Sequence, residues 1–255
     1  MITDYHRPEK IDEALKLLAR KAPATRPLGG GTVLTAPSAE TWAVVDLQLL
    51  GLDKISAKGK QLTIGATASL QDLLEFKDTS DALKAVIRHE ATANLRRAAT
   101  VAGTLVSADG RSPFAAAMLA LDTQLTLQPG DETMGYGSLL PLRGEALAGK
   151  LITEVAIATN VKLSYHYVAR TPADLAVVGV ALAAWPSGRT RLAVSGFGRA
   201  PALALDGQEA SGLETALENV LSETNDQWAS AEYRVEAGKA LLKRAIHDIG
   251  VSHEN

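Results

Sequence analysis

The second half of the sequence sets the strongest limit on the fold, because strand-type runs there are followed by two helices. Four runs have the apolar content and the alternation of strands: 151–158, 162–168, 175–185 and 190–197. Pro186-Ser187-Gly188 favours a hairpin turn between the last two. Helical spacing of apolar residues over 213–221 and 237–249 predicts two closing helices. Strands followed by helices predict an α+β unit, with the helices packed on one face of an antiparallel sheet.

In the first half, predicted strands and helices alternate along the chain, and we divide this half into two shorter parts. A helix is predicted from Ile11, with acidic residues early and basic residues late, and Pro23 ends it. Further strands are predicted at 25–28, 42–46, 61–66 and 124–128, and helices after Ser69, Asp81 and Pro113. The glycine-rich stretch 129–150 is typical of a surface loop region. We therefore expect three parts, with boundaries 1–57, 58–150 and 151–255.

Composition removes several classes of protein from consideration. Of the 255 residues, 46% are apolar and 22% are charged, which is an ordinary globular balance. The formal net charge of −3 gives no support to a polyanionic partner such as nucleic acid. The count of cysteine is 0, which excludes disulfides and thiolate-bound metal clusters within this sequence.

Location is predicted from what the apolar segments can do. The amino-terminal residues are polar and do not resemble a secretory signal. The longest apolar stretch, 175–185, is far shorter than the about 20 residues of a membrane-spanning helix. We expect a cytoplasmic protein without a membrane span.

A run of three glycines is the first candidate for binding chemistry. Gly29-Gly30-Gly31-Thr32 follows a predicted strand, and consecutive glycines can expose several backbone N–H groups that bind phosphate oxygens. The run lacks the third glycine of a Rossmann fingerprint, because Leu34 stands there, and lacks the lysine of a P-loop. A purely structural turn, in which glycine serves tight packing, is the alternative.

A second small-residue stretch strengthens the phosphate hypothesis. Ala99-Thr100-Val101-Ala102-Gly103-Thr104-Leu105 follows the cationic pair Arg96-Arg97. Two such loops from adjoining subdomains can hold a pyrophosphate from both sides without a Rossmann helix. The alternative is a close-packed crossing of chain segments.

Other candidate groups are few. Tyr165 and Tyr167 lie on the same side of a predicted strand, where one of them can lie against a flat ring or both can serve sheet packing. The histidines lack metal-ligand spacing, and no serine has the G-x-S-x-G pattern of a hydrolase elbow. We therefore assign no catalytic side chain and no metal ligand.

Taken in order along nearly the whole chain, these segments resemble the FAD-binding, or medium, subunits of the molybdenum hydroxylases. This family includes aerobic carbon monoxide dehydrogenase, xanthine dehydrogenase and bacterial aldehyde oxidoreductases. The similar motifs are Tyr5-His-Arg-Pro8, Leu28-Gly-Gly-Gly-Thr-Val-Leu34, Leu62-Thr-Ile-Gly-Ala66, Arg96 through Leu105, Ala173-Asp-Leu-Ala-Val-Val-Gly-Val-Ala181 and Ser230-Ala-Glu-Tyr-Arg234.

The resemblance implies a fold and a cofactor. The fold is a two-subdomain FAD-binding fold of the vanillyl-alcohol-oxidase-like type, here 1–57 and 58–150, followed by an α+β C-terminal domain. The implied FAD-binding residues are Leu28, Gly29, Gly30, Gly31, Thr32, Val33, Leu34, Thr100, Ala102, Gly103, Thr104, Asp109 and Tyr167.

The resemblance also implies partners. A small subunit with [2Fe-2S] clusters would deliver electrons, and a large subunit with the molybdenum cofactor would feed those clusters. FAD in this chain would pass the electrons to an external acceptor, and we expect a dimer of heterotrimers.

The sequence departs from the family pattern in the second loop and beyond it. Ala102 stands where the family prefers glycine, Thr104 stands where it prefers asparagine, and the 129–150 region is short. A flavin-free scaffold subunit of the same kind of complex is therefore the alternative function.

Overall fold

The structure, a computed structural model, describes residues 1–250. They form two compact units. The first unit comprises residues 1–78, 92–107 and 124–156. The second unit comprises residues 79–91, 108–123 and those from 157 onward. The three-part division expected above stays a prediction, and the last five residues of its third part lie outside the described residues.

The chain alternates short strands and helices throughout. The strands are β1 (Ile2–His6), β2 (Thr25–Leu28), β3 (Trp42–Asp46), β4 (Ile55–Lys58), β5 (Gln61–Gly65), β6 (Gln124–Gln128), β7 (Glu132–Gly135), β8 (Leu151–Ala158), β9 (Lys162–Val168), β10 (Val178–Ala184), β11 (Thr190–Ser195) and β12 (Ala202–Gly207). The α-helices are α1 (Ile11–Leu18), α2 (Leu70–Glu75), α3 (Asp81–Glu90), α4 (Ala93–Ala98), α5 (Val101–Ser107), α6 (Pro113–Ala120), α7 (Tyr136–Leu139), α8 (Arg143–Ala146), α9 (Leu213–Leu221) and α10 (Ala231–Ile249). Two short 3-10 helices cover Gln48–Leu50 and Leu140–Leu142.

A small parallel sheet begins the first unit, with strand order β1-β3-β2. The central strand β3 is buried along its whole length, as a strand covered on both faces should be. Helix α1 places Ala14 and Leu18 against Val45 and Leu47, while its polar residues face solvent.

The first unit also contains a five-stranded sheet, with order β4-β5-β8-β6-β7. Helix α2 begins at Ser69, whose hydroxyl accepts from the Asp72 N–H at 3.0 Å while the Asp72 carboxylate accepts from the Ser69 N–H at 3.0 Å. This capping box confirms the predicted start of the helix.

The second unit is built on an antiparallel sheet with order β12-β11-β10-β9. Val178, Val180 and Leu182 of β10 pack in one cluster with the apolar faces of α9 and α10. Helix α6 also packs on β10 and β11 and is buried on every side. Because β10 and β11 are buried at every position, both faces of this sheet are covered.

A buried arginine ties the closing helix of the second unit to that sheet. Arg234 has no exposed surface; its guanidinium donates to the Val177 and Gly196 carbonyls at 2.9 and 3.2 Å and pairs with Asp226 at 2.8 Å. A charge is tolerated at such depth only when it is paired and fully hydrogen-bonded.

The α+β class is confirmed, and two local predictions were wrong. The loop expected at 99–105 is largely helical, because α5 begins at Val101. The loop region 129–150 contains β7, α7 and α8, with Tyr136 and Leu139 buried. Strands β1, β4 and β12 were not predicted from the sequence, since most of their residues are only partly buried or exposed.

Within residues 1–250, no helix is both long enough and apolar enough to cross a bilayer.

Candidate functional site

The glycine segment, residues 29–34, begins at the carboxyl end of β2. Leu28 pairs with Asp46 in the parallel sheet, and its carbonyl accepts the Leu47 N–H at 3.0 Å. The chain then leaves the sheet through Gly29, Gly30 and Gly31. Ligands of open α/β sheets commonly bind at this end of parallel strands.

Close packing explains why the first two of these residues are glycines. A Cβ on Gly29 would lie 2.8 Å from Thr100 Oγ1, and a Cβ on Gly30 would overlap with the carbonyl of Ala98. The glycine segment and the turn at 98–100 therefore touch through backbone. Part of the structural alternative for the glycine run is thus correct.

The third glycine and the residues after it have a different property. Gly31 adopts a φ of +71°, which disfavours any side chain. Among residues 1–250 the structure records no hydrogen bond donated by the backbone N–H groups of Gly30, Gly31 and Thr32. Adjacent N–H groups without protein acceptors are what an anion-binding backbone nest requires.

Thr100 organises the second predicted segment. Its Oγ1 accepts from the Gly103 N–H at 3.2 Å, and its carbonyl accepts from Thr104 N at 2.9 Å and from Thr104 Oγ1 at 2.9 Å. Thr100 therefore begins α5 in the manner of an N-cap. The departure at Ala102 costs no backbone strain, because the residue lies in a helix and does not have a positive φ.

A pocket of about 590 Å³ lies in the first unit against both segments. Its lining includes Gly29, Gly30, Gly31, Thr32, Val33 and Leu34 of the glycine segment and Thr100, Ala102 and Gly103 of the second segment. Leu47, Val106, Leu147, Leu151 and Ile152 supply apolar surface. This size, and the combination of apolar walls with a few polar groups, are typical of cofactor sites, which span about 300–1,000 Å³.

The charged residues that line the pocket are basic. Arg26, Arg143 and Lys150 line it, and no acidic residue is among its described lining residues. Arg26 pairs with Glu40 at 3.2 Å, Arg143 donates to the Val106 carbonyl at 3.0 Å, and Lys150 pairs with Glu132. Cations beside a backbone nest favour an anionic ligand group such as a diphosphate.

Four of the residues implied by the resemblance do not line this pocket. Leu28 precedes it, with Cδ1 3.5 Å from where a Cβ on Gly31 would be. Thr104 uses its hydroxyl on the Thr100 carbonyl. Asp109 and Tyr167 belong to the second unit, where Asp109 Oδ1 accepts the Arg111 N–H at 2.8 Å. Their roles in cofactor binding stay predictions.

Within the second unit, Tyr167 stacks on the ring of a histidine. Its ring centroid is 3.8 Å from that of His89, at an interplanar angle of 23°. The ring of Tyr165 stacks on Tyr167, with the two centroids 5.9 Å apart. Desolvation lowers the pKa of His89 and favours its neutral form. It also raises the pKa of the neighbouring Glu90 carboxyl, although that group accepts from Phe114 N and Ser112 Oγ.

The sequence pointed to the two small-residue segments but missed the cations. Arg26 stands three residues before Gly29 and was visible as a basic neighbour of the run. Arg143 and Lys150 come from a stretch interpreted as loop, and no local pattern connects them with residue 31. Their place follows from tertiary packing alone.

Comparison with known proteins identifies a family model and a sequence relative. Residues 1–158 match the family model described as FAD binding domain in molybdopterin dehydrogenase. The Escherichia coli (strain K12) protein "Uncharacterized protein YgfM" is 27% identical over 242 residues, which are 92% of this chain and 91% of the relative.

Solved structures share the fold at lower identity. A chain of quinoline 2-oxidoreductase from Pseudomonas putida 86 is 21% identical with a TM-score of 0.77, and the match covers 96% of each chain. A chain of carbon monoxide dehydrogenase from Hydrogenophaga pseudoflava, in a form that lacks the Mo-pyranopterin moiety of the molybdenum cofactor, is 18% identical with a TM-score of 0.77, covering 98% of this chain and 97% of that one. Since the family model spans well over half of the sequence, the chain belongs to the family of the FAD binding domain in molybdopterin dehydrogenase, an oxidoreductase family whose cofactor is FAD.

Proposed function

We propose that this chain is the FAD-binding electron-transfer subunit of a multisubunit molybdenum hydroxylase and binds FAD in the pocket of its first unit. The observation that carries the proposal is the glycine segment, whose N–H groups lack described acceptors and which lies in a pocket with three cationic side chains. These groups match the needs of a dinucleotide diphosphate.

The residues of the pocket divide the binding task. The N–H groups of Gly30, Gly31 and Thr32 would donate to phosphate oxygens, and Arg26, Arg143 and Lys150, which line the same pocket, would balance the phosphate charge. Leu147, Leu151 and Ile152 would supply the apolar wall that excludes water from the bound cofactor. Bound FAD supplies the capacity to accept and release electrons, which the side chains of this chain do not have.

Partner chains complete the proposal. The sequence has no cysteine, so [2Fe-2S] clusters that deliver electrons are held by cysteines of a small partner subunit. A large partner carries the molybdenum cofactor, and the complex is a cytoplasmic dimer of heterotrimers that passes electrons through FAD to an external acceptor. Support comes from the family and from the fold shared with carbon monoxide dehydrogenase and quinoline 2-oxidoreductase.

A flavin-free scaffold subunit is the second candidate function, and one observation favours it. In the second segment the Gly103 N–H and the Thr104 hydroxyl are both engaged with Thr100. That segment therefore offers a phosphate fewer donors than a loop would.

Flavin titration separates the two functions. FAD and FMN are added to the flavin-free full chain, and binding is followed by flavin fluorescence. The electron-transfer proposal expects saturable FAD binding that is tighter than FMN binding, because the adenylate half adds contacts. A folded chain that binds neither flavin, alone or in its native complex, would establish the scaffold function instead.

A further inference from the structure

Lys150 and Arg26 are each paired with a glutamate, but the Arg26 guanidinium also lies 4.2 Å over the Trp42 ring, whereas the one partner of the Lys150 ammonium among residues 1–250 is Glu132. Lys150 lies immediately before β8, and its N–H donates to the Leu147 carbonyl at 3.1 Å. Its ammonium pairs with Glu132 at the start of β7. Both side chains are partly exposed, by 32% for Lys150 and 46% for Glu132.

An ion pair in that setting is exchangeable. Solvent screens a partly exposed pair, so its net contribution to folding is small. A phosphate oxygen is as good an acceptor for an ammonium as a carboxylate oxygen. Arg143, in contrast, donates to the backbone carbonyl of Val106 and so connects α8 to α5.

We propose that Lys150 is the phosphate-recognition residue of the pocket and exchanges Glu132 for the ligand diphosphate. The inference rests on the proposed function and adds to it a group, Glu132, that competes with the ligand for Lys150. Glu132 then acts as an internal competitor, which keeps the ammonium compensated until the nucleotide arrives.

This exchange predicts effects of opposite sign for the two partners. Lys150→Gln removes the cation, so ADP should bind about tenfold more weakly to the full chain. Glu132→Gln removes only the competitor, so ADP should bind a few-fold more tightly. A purely structural pair is broken equally by both changes, and both variants would then shift ADP affinity in the same direction.

Calorimetric titration of the flavin-free full chain with ADP, and separately with adenosine, tests the proposal. Adenosine carries no phosphate, so its affinity should be the same in wild type and in both variants. Lys60→Gln is the matched control, because Lys60 is an exposed lysine of the same unit and does not line the pocket. It should leave ADP affinity unchanged.

Three results would overturn the inference: shifts of the same sign in both variants, no shift in either, or an equal loss for adenosine and ADP. The wild-type chain separates this failure from that of the proposed function. Wild type that binds FAD while Lys150→Gln binds ADP normally overturns the inference alone, whereas wild type that binds neither FAD nor ADP overturns both.

Discussion

Gly29, Gly30 and Gly31 stand side by side in the sequence, yet they lack side chains for different physical reasons. The first two allow the backbone to touch the turn at 98–100. The third has a positive φ, and the nearest atoms to a Cβ there, on Thr35 and Leu28, are 3.4 and 3.5 Å away. Of the three, only Gly31 would place a Cβ outside clashing distance of neighbouring atoms, so a substitution there, apart from the strain of its positive φ, tests the ligand.

Replacing Gly31 by valine should remove FAD without unfolding the chain. Left-handed backbone costs an L-residue about 1–2 kcal/mol, so stability should fall modestly. Gly59→Val is the matched control, because Gly59 has a similar φ of +61° with nothing within 4 Å and does not line the pocket. Both variants should lose similar stability in urea unfolding, but only Gly31→Val should lose flavin after gel filtration. Full flavin in Gly31→Val would contradict the assigned nest.

Gly103 and Thr104 are adjacent but should respond differently. Gly103 lines the pocket, and a side chain there would lie 2.6 Å from Thr100 Oγ1. Gly103→Leu should therefore displace the cap, at a cost of about 1 kcal/mol, and remove bound FAD. Thr104→Asn loses one neutral hydrogen bond, a net of about 0.5–1.5 kcal/mol, and should retain flavin. Flavin content of the two folded variants is the measurement, and equal retention would make α5 a structural element only.

At the level of whole elements, local signals were sufficient where a residue that favours a helix start is followed by apolar residues. The structure contains the helices whose starts were predicted from Ser69, Asp81 and Pro113. Helix α5 was missed because it is only seven residues long, its first turn contains Ala102, Gly103 and Thr104, and its start depends on Thr100. The glycine segment could be predicted as a binding segment because its glycines are adjacent in sequence. The place of Lys150 in the pocket could not, because it depends on how β8, which follows Lys150, pairs in the sheet.

The β11–β12 pair carries an ionic cluster whose effect on stability depends on pH. Hydrogen bonds from Arg189 lower the pKa of Asp206 below the ordinary 3.8, and Arg191 and Asp122 belong to the same cluster. A lowered folded-state pKa gives stability that is complete above the unfolded value and is lost as pH falls through the folded value. Because Asp206 is partly exposed, the contribution is less than about 1 kcal/mol.

Asp206→Asn tests this cluster through its pH dependence. The variant should be less stable than wild type at neutral pH, and the difference in free energy of unfolding should shrink as pH falls below about 4. Urea unfolding at a series of pH values gives the difference, with the exposed Asp53→Asn as control. A difference that stays constant with pH would show that the Asp206 charge does not contribute.

For the whole molecule, the class and family could be predicted because many weak motifs occur in the right order over nearly the full length. The division into two compact units could not be predicted, because the second unit takes in residues 79–91 and 108–123 from the middle of the chain. Such returns of the chain depend on long-range packing, as α3 and α6 pack with β9 and β10. These helices and strands are too far apart in the sequence for any local pattern to show that they pack together.

Assembly is a prediction at the same scale. The sequence has no cysteine, so the iron–sulfur clusters that we propose as electron donors to the flavin are expected in another chain. Native material should therefore elute in size exclusion as a complex with an iron–sulfur chain, together with a larger molybdenum-containing one. Redox activity confined to a monomer of this chain would contradict the expected assembly.

The central claim is that this chain carries FAD in the pocket beside its glycine segment. The most direct measurement is the identity and amount of nucleotide released by denaturing the protein isolated from its native source. The account predicts FAD, close to one per chain, and its loss in Gly31→Val but not in Gly59→Val. A native complex that contains its iron–sulfur partner but no flavin would contradict it.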